Sequence, residues 1–262
     1  MQSRIRIILI ITLDMFISRS RSVYTRHTFR WMHNKSLIKA IETTQMLVSY
    51  RPVGPFQMNQ YLLTCKKTNE AAIIDSGENP DVCFGASIAE GKFDLKHLIQ
   101  THAHIDHVSG LKSMSMKYPD ATIYLHDAEL PLYESVDEQV RMFGVDCDLP
   151  LPAVNRLVQD GEVVSVGKID LKVLFAPGHS PGGCVYFYDN EEQPFAFVGD
   201  LIFQGSVGRT DLPLSSQKAM KESLRKIVAA LPKKTILLPG HNDITTMDDE
   251  IKYNPFIRQW TV

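Results

Sequence analysis

The sequence has no CxxC pair. Its four cysteines, Cys65, Cys83, Cys147 and Cys184, are scattered along 262 residues. That excludes a cysteine-only zinc knuckle and argues against a disulfide framework at this size. A strong charge of either sign is also missing. The 28 Lys and Arg stand against 30 Asp and Glu, so no global basic field recruits nucleic acid. The apolar stretch Ile7–Leu13 falls far short of the roughly 20 residues needed to span a bilayer. There is no internal repeat, low-complexity tract or Pro/Gly-rich linker. With 44% hydrophobic and 22% charged residues, the composition excludes disorder, collagen and coiled coil for the chain as a whole.

The near-neutral total hides an asymmetry. Residues 1–41 hold eight basic side chains and one acid, Asp14, which leaves 20 basic and 29 acidic groups in the remainder. An Arg- and Ser-rich, acid-poor start before an acidic body reads as an organelle-targeting segment, the mitochondrion included, with a cytoplasmic chain as the alternative. A secretory signal is the rival, because Arg4 and Arg6 precede the apolar stretch. Asp14 and the continuing arginines argue against it. An unstructured tail, or sequence upstream of a later start at Met32, is the bland alternative. The reading divides the chain into 1–41, targeting or disordered, and 42–262, one folded domain.

Within that domain, alternation and turn residues predict strands over Asn59–Cys65, Ala71–Ile74, Lys96–Gln100, Ala121–Leu125, Val163–Val166, Leu171–Phe175, Cys184–Tyr188, Phe195–Val198 and Thr235–Leu238. Helices are expected over Asp81–Gly91, Val108–Tyr118 and Ser216–Leu231, and mixed helical structure over Asp127–Phe143. The pattern is an α/β domain rich in hairpins. It fits two sheets packed together and flanked by helices.

The chemistry concentrates in Thr101-His102-Ala103-His104-Ile105-Asp106-His107, directly after an apolar strand. If the chain stays extended, His102, His104 and Asp106 share one side and His107 faces another. That geometry suits two adjacent cations. Imidazole with carboxylate suits zinc, iron or manganese. A lone histidine is more often structural, but this spacing is hard to explain that way. Three later points repeat a local pattern of strand, glycine turn and metal-capable side chain: His179 after Pro177-Gly178, Asp200 after Gly199, and His241 after Pro239-Gly240.

On these residues the chain resembles the metallo-β-lactamase superfamily. His-x-His-x-Asp-His, Gly-His-Ser-Pro-Gly-Gly, Val-Gly-Asp and Pro-Gly-His stand in that family's order, and the resemblance covers residues 46–262. It implies a four-layer αββα sandwich with a metal centre at one edge. It further implies that His102, His104 and His179 hold one metal, that Asp106, His107 and His241 hold a second, and that Asp200 bridges them. Asp75 would orient ligands, its alternative being a turn residue that ends a strand. Phe203–Pro213, containing Gly208-Arg209-Thr210-Asp211, and Asn254-Pro255-Phe256 resemble the short, single-domain branch of glyoxalase II-like thioester hydrolases. The chain ends soon after His241, so the C-terminal helical domain of two-domain glyoxalase II is expected to be absent. Arg209 and Asp211 are expected to brace their loop rather than touch substrate.

The implied activity is hydrolysis of thioesters of the S-2-hydroxyacylglutathione type. Two divalent ions, zinc by preference, would lie about 3.5–4 Å apart and share a hydroxide that attacks the carbonyl. Asp106 and Asp200 carry the catalytic roles, Asp106 in positioning and Asp200 in bridging. The partner is a small thioester, with no nucleic acid and no membrane. A mono-iron persulfide dioxygenase using His102, His179 and Asp200 is the alternative, and a lactone or ester hydrolase is another. The acidic body argues against a nuclease. Seven candidate ligands argue against a non-catalytic scaffold.

Overall fold

The computed structural model describes residues 6–11, 37–78, 84 and 92–261. Two sheets form its centre. The first runs in the order β1 Arg6–Ile11, β2 Leu37–Glu42, β3 Met46–Val53, β4 Met58–Cys65, β5 Glu70–Ile74, β6 Asp94–Ile99, β7 Thr122–His126 and β8 Arg156–Val158. Neighbours are antiparallel up to β5 and parallel from β5 to β8. The second sheet contains β9 Val163–Val166, β10 Ile169–Phe175, β11 Cys184–Tyr188, β12 Phe195–Gly199, β15 Ile236–Pro239 and β16 Thr245–Thr246. Only its β12–β15 pairing is parallel. A short ribbon, β13 Ile202–Phe203 with β14 Ser206–Val207, follows β12.

Period-two alternation explains the layering. On β4, Tyr61 and Leu63 point between the sheets while Leu62 points outward. On β12, Phe195 and Phe197 point between the sheets, and Ala196 and Val198 outward. The outer face of the first sheet is covered by α1 Ile105–Val108, α2 Leu111–Lys117, α3 Leu130–Glu134 and α4 Val136–Phe143, through Ile105, Leu111, Leu132 and Val136. The outer face of the second is covered by α5 Gln217–Ala230, α6 Met247–Tyr253 and α7 Pro255–Trp260, through Met220, Leu224, Met247 and Ile257. Helix, sheet, sheet and helix make the four-layer sandwich expected from the resemblance.

The helix termini follow the sequence. Ser216 caps α5 by accepting from the Ala219 N–H. Asn254 caps α7, whose first residue is Pro255. The Asn254 amide also donates to the carbonyls of Phe203 and Ser206, tying the ribbon to α7.

Three expectations change. The single helix over Val108–Tyr118 is instead two, α1 and α2. The Gly110 N–H bonds to the Ser76 carbonyl and so does not continue α1. The first sheet extends ahead of Glu42, through β2 and β1. Strand β3 is missed by the sequence pattern because Arg51 and Pro52 break its apolar run. The helix expected over Asp81–Gly91 lies outside the described residues apart from Phe84, which is buried, and most of segment 1–41 lies outside them too. Among the described residues no helix is long and apolar enough to cross a membrane.

Phe197 is buried between the sheets and meets Tyr61 edge-on, with ring centroids 5.4 Å apart. Phe197→Ala should lower the unfolding free energy by about 3–5 kcal/mol, read from the denaturant midpoint.

Candidate metal centre

Every candidate side chain sits just past the C-terminal end of a strand, where loops of the two sheets meet. Thr101 to His107 follow β6, His179 follows β10, Asp200 follows β12 and His241 follows β15. The expected extended course of 102–106 holds only to His104. From Ile105 the chain turns into α1, so Asp106 is aimed by a helical turn and not by strand alternation.

The structure brings all seven together. The ligand-capable atoms of His102, His104 and His179 lie within 4.8 Å of one another, as do those of Asp106, His107 and His241. Asp200 reaches both groups. Its Oδ2 is 3.3 Å from His179 Nε2 and 3.4 Å from His241 Nε2, and its Oδ1 is 3.4 Å from His107 Nε2. Asp106 Oδ2 lies 3.1 Å from His241 Nε2, and His104 Nδ1 lies 2.9 Å from His179 Nε2.

The outward ring nitrogens of four of the five histidines are occupied. His179 Nδ1 donates to the Arg209 carbonyl at 2.8 Å, and His241 Nδ1 to the Phe56 carbonyl at 3.1 Å. His107 Nδ1 donates to Asp75 Oδ2 at 2.9 Å. His102 Nδ1 meets Thr101 Oγ1 at 3.0 Å, and that hydroxyl donates to Asp75 Oδ2 at 2.8 Å. A proton held on Nδ1 leaves the Nε2 lone pair facing the cleft. Asp75 is 1% exposed and adopts a positive φ of 60° at the end of β5. It therefore stands behind the ligands, orienting His107 and the Thr101–His102 pair. Arg209 is held by Asp211 through two contacts, Nε–Oδ1 at 2.6 Å and Nη2–Oδ2 at 2.9 Å, which brace the loop whose carbonyl orients His179.

Several of the atoms turned inward have no hydrogen-bond partner: His102 Nε2, His107 Nε2 and Asp200 Oδ1 are buried and unsatisfied. Orphaned polar atoms at such depth are costly unless something pairs them. Nitrogen and carboxylate donors aimed at shared points fit divalent cations. Burial, with His107 and His104 nearby, holds His102 well below its ordinary pKa, and burial beside His179 lowers His104 to about 3. Both imidazoles are thus neutral and have lone pairs to offer. The second group is richer in charge. Burial pulls His107 down, yet the carboxylates of Asp106, Asp75 and Asp200 outweigh it and hold His107 well above its usual value. Asp200 is held well below the carboxylate range, because His241 and His107 overcome its burial.

Glycine lets the backbone close on this site. A Cβ at Gly240 would lie 2.2 Å from Asp200 Oδ1 and 2.8 Å from His107 Cε1. One at Gly208 would lie 1.9 Å from the Asp200 carbonyl and 3.0 Å from the His179 ring. Two residues near the centre carried no sequence signal. Glu129 and Gln139, fully or nearly fully buried, bond to the backbone around His102 and His104. Their partners lie 26 or more residues away, so no local motif marks them.

Asp75→Asn should weaken metal uptake by about 10–100-fold, because His107 and Thr101 lose a charged acceptor. A competition titration against a chelator checks this.

The sequence model of the metallo-beta-lactamase superfamily matches residues 53–241. The hydroxyacylglutathione hydrolase GloC of Haemophilus influenzae is 33% identical over 215 residues, 81% of this chain and 98% of that protein. Among solved structures, TTHA1623 in a di-iron-bound form is 36% identical with a TM-score of 0.68, over 78% of this chain and 98% of that one. The BLEG-1 B3 metallo-beta-lactamase is 29% identical with a TM-score of 0.71, over 80% and 99%. The matched span contains all seven clustered side chains, and the chain belongs to the metallo-beta-lactamase superfamily of metal-dependent hydrolases.

Proposed function

We propose that this protein hydrolyses thioesters of the S-2-hydroxyacylglutathione class at a centre for two divalent cations. The observation that carries the reading is Asp200, one buried carboxylate within 3.4 Å of histidines from both clusters. The similarity to a hydroxyacylglutathione hydrolase supports the substrate class. His102, His104 and His179 would hold one cation, and Asp106, His107 and His241 the other, with Asp200 between them. Zinc suits these donors, as do iron and manganese. Bound there, the cations would lower the pKa of water and polarise the scissile carbonyl.

The protein's own groups then do the following. Asp75 and the carbonyls of Phe56 and Arg209 keep the ring protons on the outer nitrogens, so the lone pairs stay aimed inward. Asp106 would help to position the attacking oxygen and is a poor general base, since His107 and His241 outweigh its burial and hold its carboxyl low. The leaving group needs little protonation, because a thiol has a pKa near 8.5. A cysteine nucleophile is not required, and burial pushes the Cys184 thiol up, away from reactivity. The acid-poor segment before residue 42 supports delivery to an organelle such as the mitochondrion.

Elemental analysis of the purified protein should find about two metals per chain, as a two-ion centre requires. S-lactoylglutathione should be hydrolysed. Asp200→Ala should lose the second metal and at least about 100-fold in hydrolysis, more than the loss of an outer partner costs. If Asp200→Ala keeps two metals and full activity, the assignment is wrong. A single iron per chain, with oxygen uptake on glutathione persulfide, would instead identify a dioxygenase.

A further inference from the structure

Glu129 lies in the short helical turn Asp127–Glu129 ahead of α3 and is completely buried. Its two carboxylate oxygens grip two separate segments. Oε2 accepts the Ala103 N–H at 2.9 Å, between His102 and His104. Oε1 accepts the Gly182 N–H at 2.5 Å, three residues after His179. The contact with Gly182 is close, since a Cβ there would lie 2.6 Å from the Glu129 backbone nitrogen. Gln139 of α4 completes the hold. Its Oε1 accepts the Ile105 N–H at 2.9 Å and its Nε2 donates to the Ala103 carbonyl at 3.1 Å. Ala103 is thereby fixed at both of its backbone polar groups. None of these bonds touches an imidazole, and each sets where one sits.

We propose that Glu129, assisted by Gln139, is a positioning residue that sets the spacing of His102, His104 and His179 for a divalent cation. The His102-Ala103-His104 segment and the Pro177–Gly183 turn belong to different sheets. A carboxylate with one oxygen on each joins them directly. Glutamine cannot replace it, because an amide offers one acceptor oxygen and would turn its NH2 towards the other N–H. The Asp106, His107 and His241 cluster is steered differently, by Asp75 bonding the His107 ring itself, so the loss of Glu129 should fall chiefly on the three-histidine position.

The inference rests on the metal-centre reading and is independent of the substrate. The test is titration of the metal-stripped full chain with cobalt(II), followed by visible absorption and by chelator competition. The three-histidine step is identified as the one missing in His104→Ala. Glu129→Gln should weaken that step by about 10–100-fold and leave the other within about twofold. Gln139→Glu, which sets an oxygen against the Ala103 carbonyl, should weaken the same step and serves if Glu129→Gln does not fold. Two wild-type steps in the variant that folds would overturn the proposal. So would equal weakening of both steps in parallel with the melting temperature of the metal-free protein, which would mark a merely structural role. A wild-type chain that takes up no cobalt would overturn the metal reading, and this inference with it.

Discussion

The structure depends on holding mutually repelling and water-seeking groups in one largely buried cleft. Five imidazoles and two carboxylates converge there, and unpartnered polar groups at that depth are expensive. The rest of the fold serves to make the crowding tolerable. Parallel strands in each sheet deliver their C-terminal loops to the same edge. Each loop brings one or more ligands, and four of the five imidazoles have the outer ring nitrogen matched to a fixed partner. Three of the inward atoms, His102 Nε2, His107 Nε2 and Asp200 Oδ1, are left bare, and this asymmetry between satisfied backs and unsatisfied fronts suits a cation better than a closed salt-bridge network.

The two halves of the site differ in character. The three-histidine half is deeply buried, with His102 and His104 held neutral by that burial, and is held through the backbone by Glu129 and Gln139. The other half includes Asp106 and His241, whose side chains are partly exposed, and is steered by Asp75 and a carbonyl of the β3–β4 turn. Asp200 joins two environments of unequal charge. A substrate carbonyl would approach the more open half, while the closed half maintains the geometry.

Much of this was legible in the sequence because it is local. Alternation marked Asn59–Cys65 and Phe195–Val198, and the apolar spacing of Met220, Leu224 and Ile227 marked the long helix. The histidine spacing and the glycine turns marked the ligands. What escaped notice is not local. Strand β3 is held by pairing along its whole length with β4, which overrides its unpromising Arg-Pro. Gly110 ends a helix because Ser76, far back in the chain, takes its N–H. Glu129 acts across 26 and 53 residues, so only the folded structure could show it. The extended reading of 102–106 was wrong beyond His104: it set Asp106 beside His102 and His104, whereas the helical turn brings Asp106 together with His107 and His241.

The glycines against Asp200 carry a consequence for how such a protein diverges. Where Gly208 and Gly240 lie, any added carbon would strike a ligand or its backbone, so the floor of the cleft is closed to single-step variation. New specificities must arise at the mouth, on side chains that face water and support nothing behind them. A change of substrate would therefore have to be made on the margin of the site, with this floor left intact.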